Sequence, residues 1–150
     1  MIEEGPLPGT ALLQKYARAG VYTDCFRTEV HDIVSLPDYV EAFYSTWLFK
    51  LERVILALFL RKDSSRKDAG RLARGEIDRF AAWTVEERTE HQLLMCDYRG
   101  HTRSWFMVVP GRLYFGSAVI PTDRKTYSAL LGLHRLYSRM LLSAARSRLQ

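Results

Sequence analysis

The chain of 150 residues contains only two cysteines and four histidines, and their positions argue against common metal and disulfide sites. Cys25 and Cys96 lie far apart and form no CxxC or Cys/His ligand pattern. No HxxxH or HxH pair occurs among the histidines. We therefore expect neither a disulfide framework nor a structural zinc site.

The sequence motifs of several enzyme classes are also missing. The chain has no Gly-rich phosphate loop, no GxSxG elbow and no GxGxxG. These absences exclude only those particular mechanisms. The sequence therefore implies no cofactor and assigns no reaction.

A secretion signal is not evident in the first ten residues, MIEEGPLPGT, which have neither a basic n-region nor an apolar h-region. Two reduced cysteines in such a chain favour a cytoplasmic location. The longest apolar run lies in STWLFKLERVILALFLRK, residues 45–62. Its apolar residues favour membrane insertion by about 5 kcal/mol, whereas Lys50, Glu52 and Arg53 cost about 9 kcal/mol, so we expect no transmembrane helix.

The apolar run has a helical period instead. Apolar residues recur at spacings of three and four from Val40 onwards, and Pro37 suits a first helical turn, which predicts a long amphipathic helix over residues 37–61. Near its end the opposite face also becomes apolar, at Phe49, Leu56 and Leu60. We expect this second face to be buried within the fold, with a homodimer interface or a membrane surface as alternatives.

Composition and charge are those of a single globular domain. Apolar residues make up 47% of the chain and charged residues 26%, which argues against disorder. The net charge of +5 is uneven, since residues 61–150 carry most of the basic side chains. Two arginine-rich stripes could face phosphates: Arg66, Lys67, Arg71 and Arg74, and Arg135, Arg139 and Arg146. We expect neither stripe to be interleaved with exposed aromatic residues, so nucleic acid is not the expected partner.

The remaining segments predict an α+β fold. A short helix is predicted over residues 9–20, capped by Thr10, and the segment VYTDCFRTEVH is rich in strand-forming residues. After the long helix, a short polar helix ending near Gly75 is expected on the surface. Four antiparallel strands follow, over residues 79–88, 91–98, 102–109 and 112–120.

A long C-terminal helix, beginning at Thr122 or Asp123, is expected to cover the sheet. Its predicted buried stripe consists of Leu130, Leu133, Leu136 or Tyr137, Met140, Leu141 and Ala144.

This order of elements resembles the START-like helix-grip superfamily, also called polyketide-cyclase-like or SRPBCC. More locally, DRFAAWTVEER, TRSWFMVV and RLYFGSAVIP look like a group of uncharacterised bacterial proteins placed in that superfamily. The resemblance implies one helix-grip domain over residues 1–150, with residues 1–19 as an N-terminal extension. It further implies a curved antiparallel sheet that grips the last helix around a ligand cavity, and it transfers no activity.

Tight turns at Arg99-Gly100 and Pro110-Gly111 predict the strand register. Cys96 then faces Arg103 and Ala118, Leu94 faces Trp105 and Gly116, and Met107 faces Tyr114. Gly116 would let the Trp105 ring lie flat on the neighbouring strand. Trp83 joins the same face of the sheet if the turn at Thr89-Glu90 is also tight.

From this face we predict a ligand-binding site formed by Trp83, Arg103, Trp105 and Tyr114. The aromatic rings would stack on a small apolar or amphipathic molecule, and Arg103 would pair with a carboxylate, phosphate or enolate oxygen. The alternative is that the tryptophans are core residues and Arg103 is exposed. A cyclase- or dehydratase-like enzyme could use the same cavity.

The other face of the sheet carries Asp97, Thr102, Ser104 and Ser117 near one another. An aspartate among apolar residues could act as a general base, but it more often accepts hydrogen bonds at the end of a hairpin.

Overall fold

A seven-stranded antiparallel sheet lies at the centre of the computed structural model, which describes residues 1–46, 66–80, 83–97, 100–120 and 124–149. The strands are β1 (Ile2–Glu4), β2 (Tyr22–Glu29), β3 (Arg79–Phe80), β4 (Trp83–Arg88), β5 (Gln92–Asp97), β6 (Thr102–Val109) and β7 (Arg112–Val119). The helices are α1 (Gln14–Arg18), α2 (Leu36–Tyr44), α3 (Arg66–Ala73) and α4 (Arg124–Leu149). Across the sheet the order is β1-β2-β7-β6-β5-β4-β3.

The predicted pairing of the last three strands is confirmed. Gly100 and Gly111 have φ angles of 74° and 73°, as the tight turns require. Cys96 pairs with Arg103 and Leu94 pairs with Trp105 between β5 and β6. Trp105 in turn faces Gly116 on β7. The glycine turns therefore set both the register and the alternation of faces.

Two parts of the predicted sheet are wrong. Residues 79–88 do not form one strand, because β3 and β4 pair antiparallel with Phe80 opposite Trp83. The predicted N-terminal extension supplies β1, which adds Ile2–Glu4 to the edge of β2. A strand of three residues is too short to show an alternating apolar pattern in the sequence. It is stable only because it pairs with the edge of β2.

Three of the described helices, α2, α3 and α4, cover the face of the sheet that carries Phe26, Phe106 and Phe115. Ser35 caps α2 by accepting a hydrogen bond from the Asp38 N–H, with proline in the first turn as predicted. The helix ends at Tyr44 and does not continue through Ser45 and Thr46. The rest of the predicted helix, with its second apolar face, lies outside the described residues.

The packing of α3 and α4 departs from the sequence prediction. Ala69, Leu72 and Ala73 of α3 are fully buried, so this helix is part of the core and does not lie on the surface as expected. On α4, Met140 is 43% exposed although it was assigned to the buried stripe. The buried residues of α4 whose side chains are described are Ser138, Leu141, Leu142 and Ala145. The helix is therefore rotated relative to the predicted stripe.

The opposite face of the sheet is covered by the N-terminal strap, which we define as residues 7–18. Leu13 of the strap packs in a second core with Trp105, Tyr114 and Cys25. Both faces of the sheet are thus buried by the chain itself. Both cysteines are free, and burial raises the pKa of Cys25 to about 12. No described helix is both long and apolar enough to cross a bilayer.

Gly116 permits the close approach at the centre of this second core. A Cβ atom there would lie 2.7 Å from the Asp24 carbonyl oxygen and 2.9 Å from Cε3 of Trp105. We expect Gly116→Ala to lower the free energy of unfolding by about 1 to 3 kcal/mol, because backbone and a packed ring must move. Urea denaturation measures the change.

Gly9→Ala is the matched control for Gly116→Ala. An added Cβ at Gly9 would meet no atom within 4 Å, so its stability should match that of the unchanged chain. Equal urea midpoints for both variants would contradict the predicted clash.

Candidate functional site

The structure separates the four predicted site residues between the two faces of the sheet. Arg103, Trp105 and Tyr114 lie on the face covered by the strap. Trp83 pairs with Asp97 and packs against the core on the helix-covered face. The cause is an irregularity between Val85 and Glu87, which shifts the register of β4 by one residue.

The expected cavity between the sheet and α4 is therefore not lined by Arg103, Trp105 and Tyr114. Trp105 is fully buried, and Tyr114 is 9% exposed. The strap occupies the space in which a ligand on that face was expected. The corrected location of these three residues is the interface between strap and sheet, and their role in ligand binding stays a prediction.

Gln92 holds the strap onto Trp105. The Trp105 Nε1–H donates to Gln92 Oε1 at 2.9 Å, and the backbone N–H of Leu12 donates to the same oxygen at 2.9 Å. Gln92 Nε2 donates to the carbonyl oxygen of Thr10 at 3.0 Å. One side chain thus joins the indole to the strap backbone, which leaves the buried indole N–H satisfied.

A cluster of three charged residues and one tyrosine, which we call the strap latch, joins α1 to the sheet. It consists of Lys15, Tyr16, Glu86 and Arg103. The Tyr16 hydroxyl donates to Glu86 at 2.6 Å and accepts from Arg103 Nε at 2.8 Å. Arg103 also pairs directly with Glu86, and Lys15 Nζ lies 2.8 Å from the same carboxylate. The guanidinium carbon of Arg103 lies 5.0 Å from the centre of the Tyr16 ring.

The electrostatics of the strap latch favour a structural role. Burial alone would raise the pKa of Glu86, but hydrogen bonds from Lys15 and Tyr16 and the charge of Arg103 lower it below its ordinary value of 4.5. Burial and the hydrogen bond to Glu86 raise the pKa of Tyr16. Near neutral pH the cluster holds a carboxylate, a guanidinium and a neutral phenol in mutual contact. None of them is poised to exchange a proton.

A second group of polar residues lies on the helix-covered face, in the layer between the sheet and the helices. We call Asp24, Ser117 and Ser104, which face one another across β2, β7 and β6, the polar row. Asp24 is 6% exposed, and its Oδ1 accepts from the Ser117 N–H at 2.9 Å. Ser117 is fully buried, and its hydroxyl has no hydrogen-bond partner among the described residues.

The surroundings of the polar row change from one end of the face to the other. On one side lie the rings of Phe26, Phe106 and Phe115, on which α2 packs through Phe43. On the other side lie half-buried residues of the neighbouring positions: Tyr22, Val119, Thr102, Asp97 and Trp83. Asp97 accepts a hydrogen bond from the His101 N–H at 2.8 Å, so the prediction that it serves a hairpin end is confirmed.

Sequence reasoning missed Asp24, although a signal for it exists. In the segment YTDCFRT the alternation of a strand places Asp24 between Tyr22 and Phe26 on one face. Because Phe26 is part of the main core, the carboxylate must be buried beside it. Predicting a strand here does not by itself say which of its side chains face the core, and Asp24 was therefore not identified.

We expect Glu86→Gln to lower the free energy of unfolding at pH 7 by about 1 kcal/mol, because Arg103 loses an ion-pair partner whose side chain is 23% exposed and therefore partly screened by water. The lowered pKa of Glu86 stabilises the fold fully above about pH 4.5, and this contribution is lost as the pH falls through the folded-state pKa. At pH 3 the difference between the two proteins should therefore be smaller than at pH 7. Urea denaturation at both pH values measures it.

Glu90→Gln serves as the control, since that side chain is 87% exposed in the β4–β5 turn. Its stability should follow that of the unchanged chain at both pH values. A deficit of Glu86→Gln that persists undiminished at acid pH would contradict the assignment of the latch charge.

No group of His, Cys, Asp and Glu side chains suited to a metal ion occurs in the part of the chain that the structure describes. Comparisons of the chain with models of protein families, with curated proteins and with solved structures found no match. The function of the site must therefore follow from the chemistry of its own residues.

Proposed function

We propose that the chain binds a small, largely apolar molecule between the sheet and α4, against the polar row. The observation that supports this most directly is the Ser117 hydroxyl, which is buried without a partner among the described residues. Leaving such a group unpaired costs about 1 to 3 kcal/mol. A ligand that supplies the missing hydrogen bond would recover that free energy.

The polar row also limits the chemistry of the ligand. The Asp24 carboxylate accepts hydrogen bonds and disfavours an anion, so the complementary group is a hydroxyl or an amine. Met95 lies beside Ser104, and aromatic rings lie on both sides of the row. A molecule with an apolar body and one hydrogen-bond donor fits this combination.

The position of the polar row agrees with what the helix-grip resemblance implies. In that superfamily the ligand lies between an antiparallel sheet and a long C-terminal helix. Here α4 lies over β2 and β7, the strands that carry Asp24 and Ser117. The proposed ligand lies where the resemblance predicts it, between the sheet and the last helix. Its contacts differ from the prediction, because Trp83 is the only one of the four predicted site residues on this face.

A cyclase- or dehydratase-like enzyme remains the second candidate, and Asp24 favours it. A buried carboxylate that faces Ser117 across two strands has the chemistry of a general base. It would need a bound ligand with an acidic proton within hydrogen-bond distance of the carboxylate.

Nucleic acid is less favoured, because part of the basic surface is neutralised. Arg71 pairs with Asp68 and Glu76, and Arg74 pairs with Glu76. Arg135 pairs with Glu4. Fewer free cations are left for phosphates than the sequence suggested. The homodimer prediction stays open, since it concerns Phe49, Leu56 and Leu60.

We expect Ser117→Ala to leave the stability of the ligand-free protein unchanged or to raise it by up to about 1 kcal/mol, because an unpaired hydroxyl is removed. Thr28→Val is the matched control. The buried Thr28 hydroxyl donates to the Met1 carbonyl oxygen at 3.3 Å, so this change should destabilise the fold. Calorimetric melting of both variants tests the contrast. A clear loss of stability in Ser117→Ala would mean that the hydroxyl already has a partner.

Ligand binding itself is tested by native mass spectrometry of the protein purified from its own host, where a retained small molecule is expected. A second measurement uses the neutral fluorophore N-phenyl-1-naphthylamine, which carries one N–H donor. Its fluorescence should saturate at one molecule per chain, and Ser104→Leu should abolish the signal by filling the space beside the row. Ser143→Leu, at an exposed position of α4, is the control. Absence of both a retained molecule and saturable dye binding would refute the proposal.

A further inference from the structure

A cavity of about 430 Å³ lies between α2 and the C-terminal end of α4, away from the sheet. Its walls are loop residues 32–34, one side of α2 and the last two residues of α4. The volume is within the range of small-molecule sites. Since no strand residue lines it, this helix-pair cavity is distinct from the polar row.

Carboxylates dominate the walls of the helix-pair cavity. Asp32, Asp38 and Glu41 face it, against the single guanidinium of Arg148. Arg74 lies near Glu41 but donates to Glu76 at 2.7 Å. The C-terminal end of α4 adds the partial negative charge of its last carbonyl groups. The local field therefore favours a cation, although the whole chain is basic.

The Ser45 hydroxyl is a second and independent sign of a ligand. Ser45 follows α2 and lines the cavity, yet it is only 2% exposed. Its Oγ atom has no hydrogen-bond partner among the described residues. Ser35, at the other end of the same helix, both donates to and accepts from Asp38. A buried hydroxyl left unpaired beside an open cavity is suited to a bound molecule.

The rim of the cavity is apolar. Ile33 is fully exposed, and Val34 and Leu149 continue the wall on either side. A single exposed isoleucine is common on protein surfaces, but here it adds apolar surface beside the polar walls of the cavity. An occupant with a short apolar body beside its polar end would contact this surface.

From these observations we propose that the helix-pair cavity binds a small organic amine. The ammonium group lies among the carboxylates, the Ser45 hydroxyl accepts one of its hydrogen bonds, and the apolar body lies against Ile33 and Val34. Arg148 repels the ammonium group and excludes more highly charged cations. This site does not depend on the polar row.

The test uses two probes of the same shape and opposite charge, 2-phenylethylamine and 3-phenylpropionate. Each is titrated into the full chain, and the backbone amide shifts of Ala42 and Ser45 are followed by NMR. We expect saturable shifts with the amine below about 20 mM and affinity about five-fold lower for the carboxylate. Tighter binding of the carboxylate, or no saturation with the amine, would overturn the proposal.

Three variants separate this site from nonspecific attraction. Glu41→Gln, an exposed position, should weaken amine binding by about two- to five-fold, whereas Arg148→Gln should strengthen it by a similar factor. Ser45→Ala should weaken it without lowering the melting temperature. Glu90→Gln, far along the chain, should change nothing. Weaker amine binding in Arg148→Gln, or unchanged binding in both Glu41→Gln and Ser45→Ala, would refute the site.

Discussion

The fold depends on β6 and β7 being buried on both faces at once. On one face Trp105 lies against Gly116, and on the other Phe106 packs against Phe115 with a centroid separation of 5.3 Å. Because side chains alternate along a strand, two adjacent residues of one strand must enter two different cores. The helices α2, α3 and α4 cover only the face that carries Phe106 and Phe115, and the N-terminal strap covers Trp105 on the other face. Gly116 contributes to this packing, because a Cβ atom there would lie 3.1 Å from Cδ2 of Leu13 in the strap.

Much of the sheet could be predicted because its turns are marked by glycine, whereas the position of Trp83 could not. The turns at Gly100 and Gly111 leave one register for β5, β6 and β7, and the structure has that register. In the segment TVEER no glycine or proline marks the irregularity beside Glu86, and a shift of one residue transfers Trp83 to the other face. The role of the strap could not be predicted either, since Leu13 packs in one cluster with Trp105 and Tyr114, which lie more than ninety positions away in the sequence.

The two polar clusters on the sheet differ in how completely their described groups are hydrogen-bonded. In the strap latch each charge contacts an opposite charge, and the phenol between them both donates and accepts. Such a cluster stabilises a fold and needs nothing further. The polar row instead holds a buried serine hydroxyl with no partner in the described residues. The sequence predicts Arg103 as a binding residue because its charge can be read from the sequence, whereas its contacts with Tyr16 and Glu86 cannot.

Ser45 and Ser117 are two buried serines on the helix-covered side of the sheet. Each lies in the interior, and its hydroxyl has no hydrogen-bond partner within the described ranges of the chain. Ser45 lies between two helices, and Ser117 lies between a helix and the sheet. Elsewhere in the chain the Ser35 hydroxyl and the Gln92 side-chain amide both donate and accept hydrogen bonds. Alanine at either position would avoid the desolvation cost and fill nearly the same volume. Serine at these two positions agrees with the two proposed sites, in each of which a bound molecule would complete the hydrogen bond.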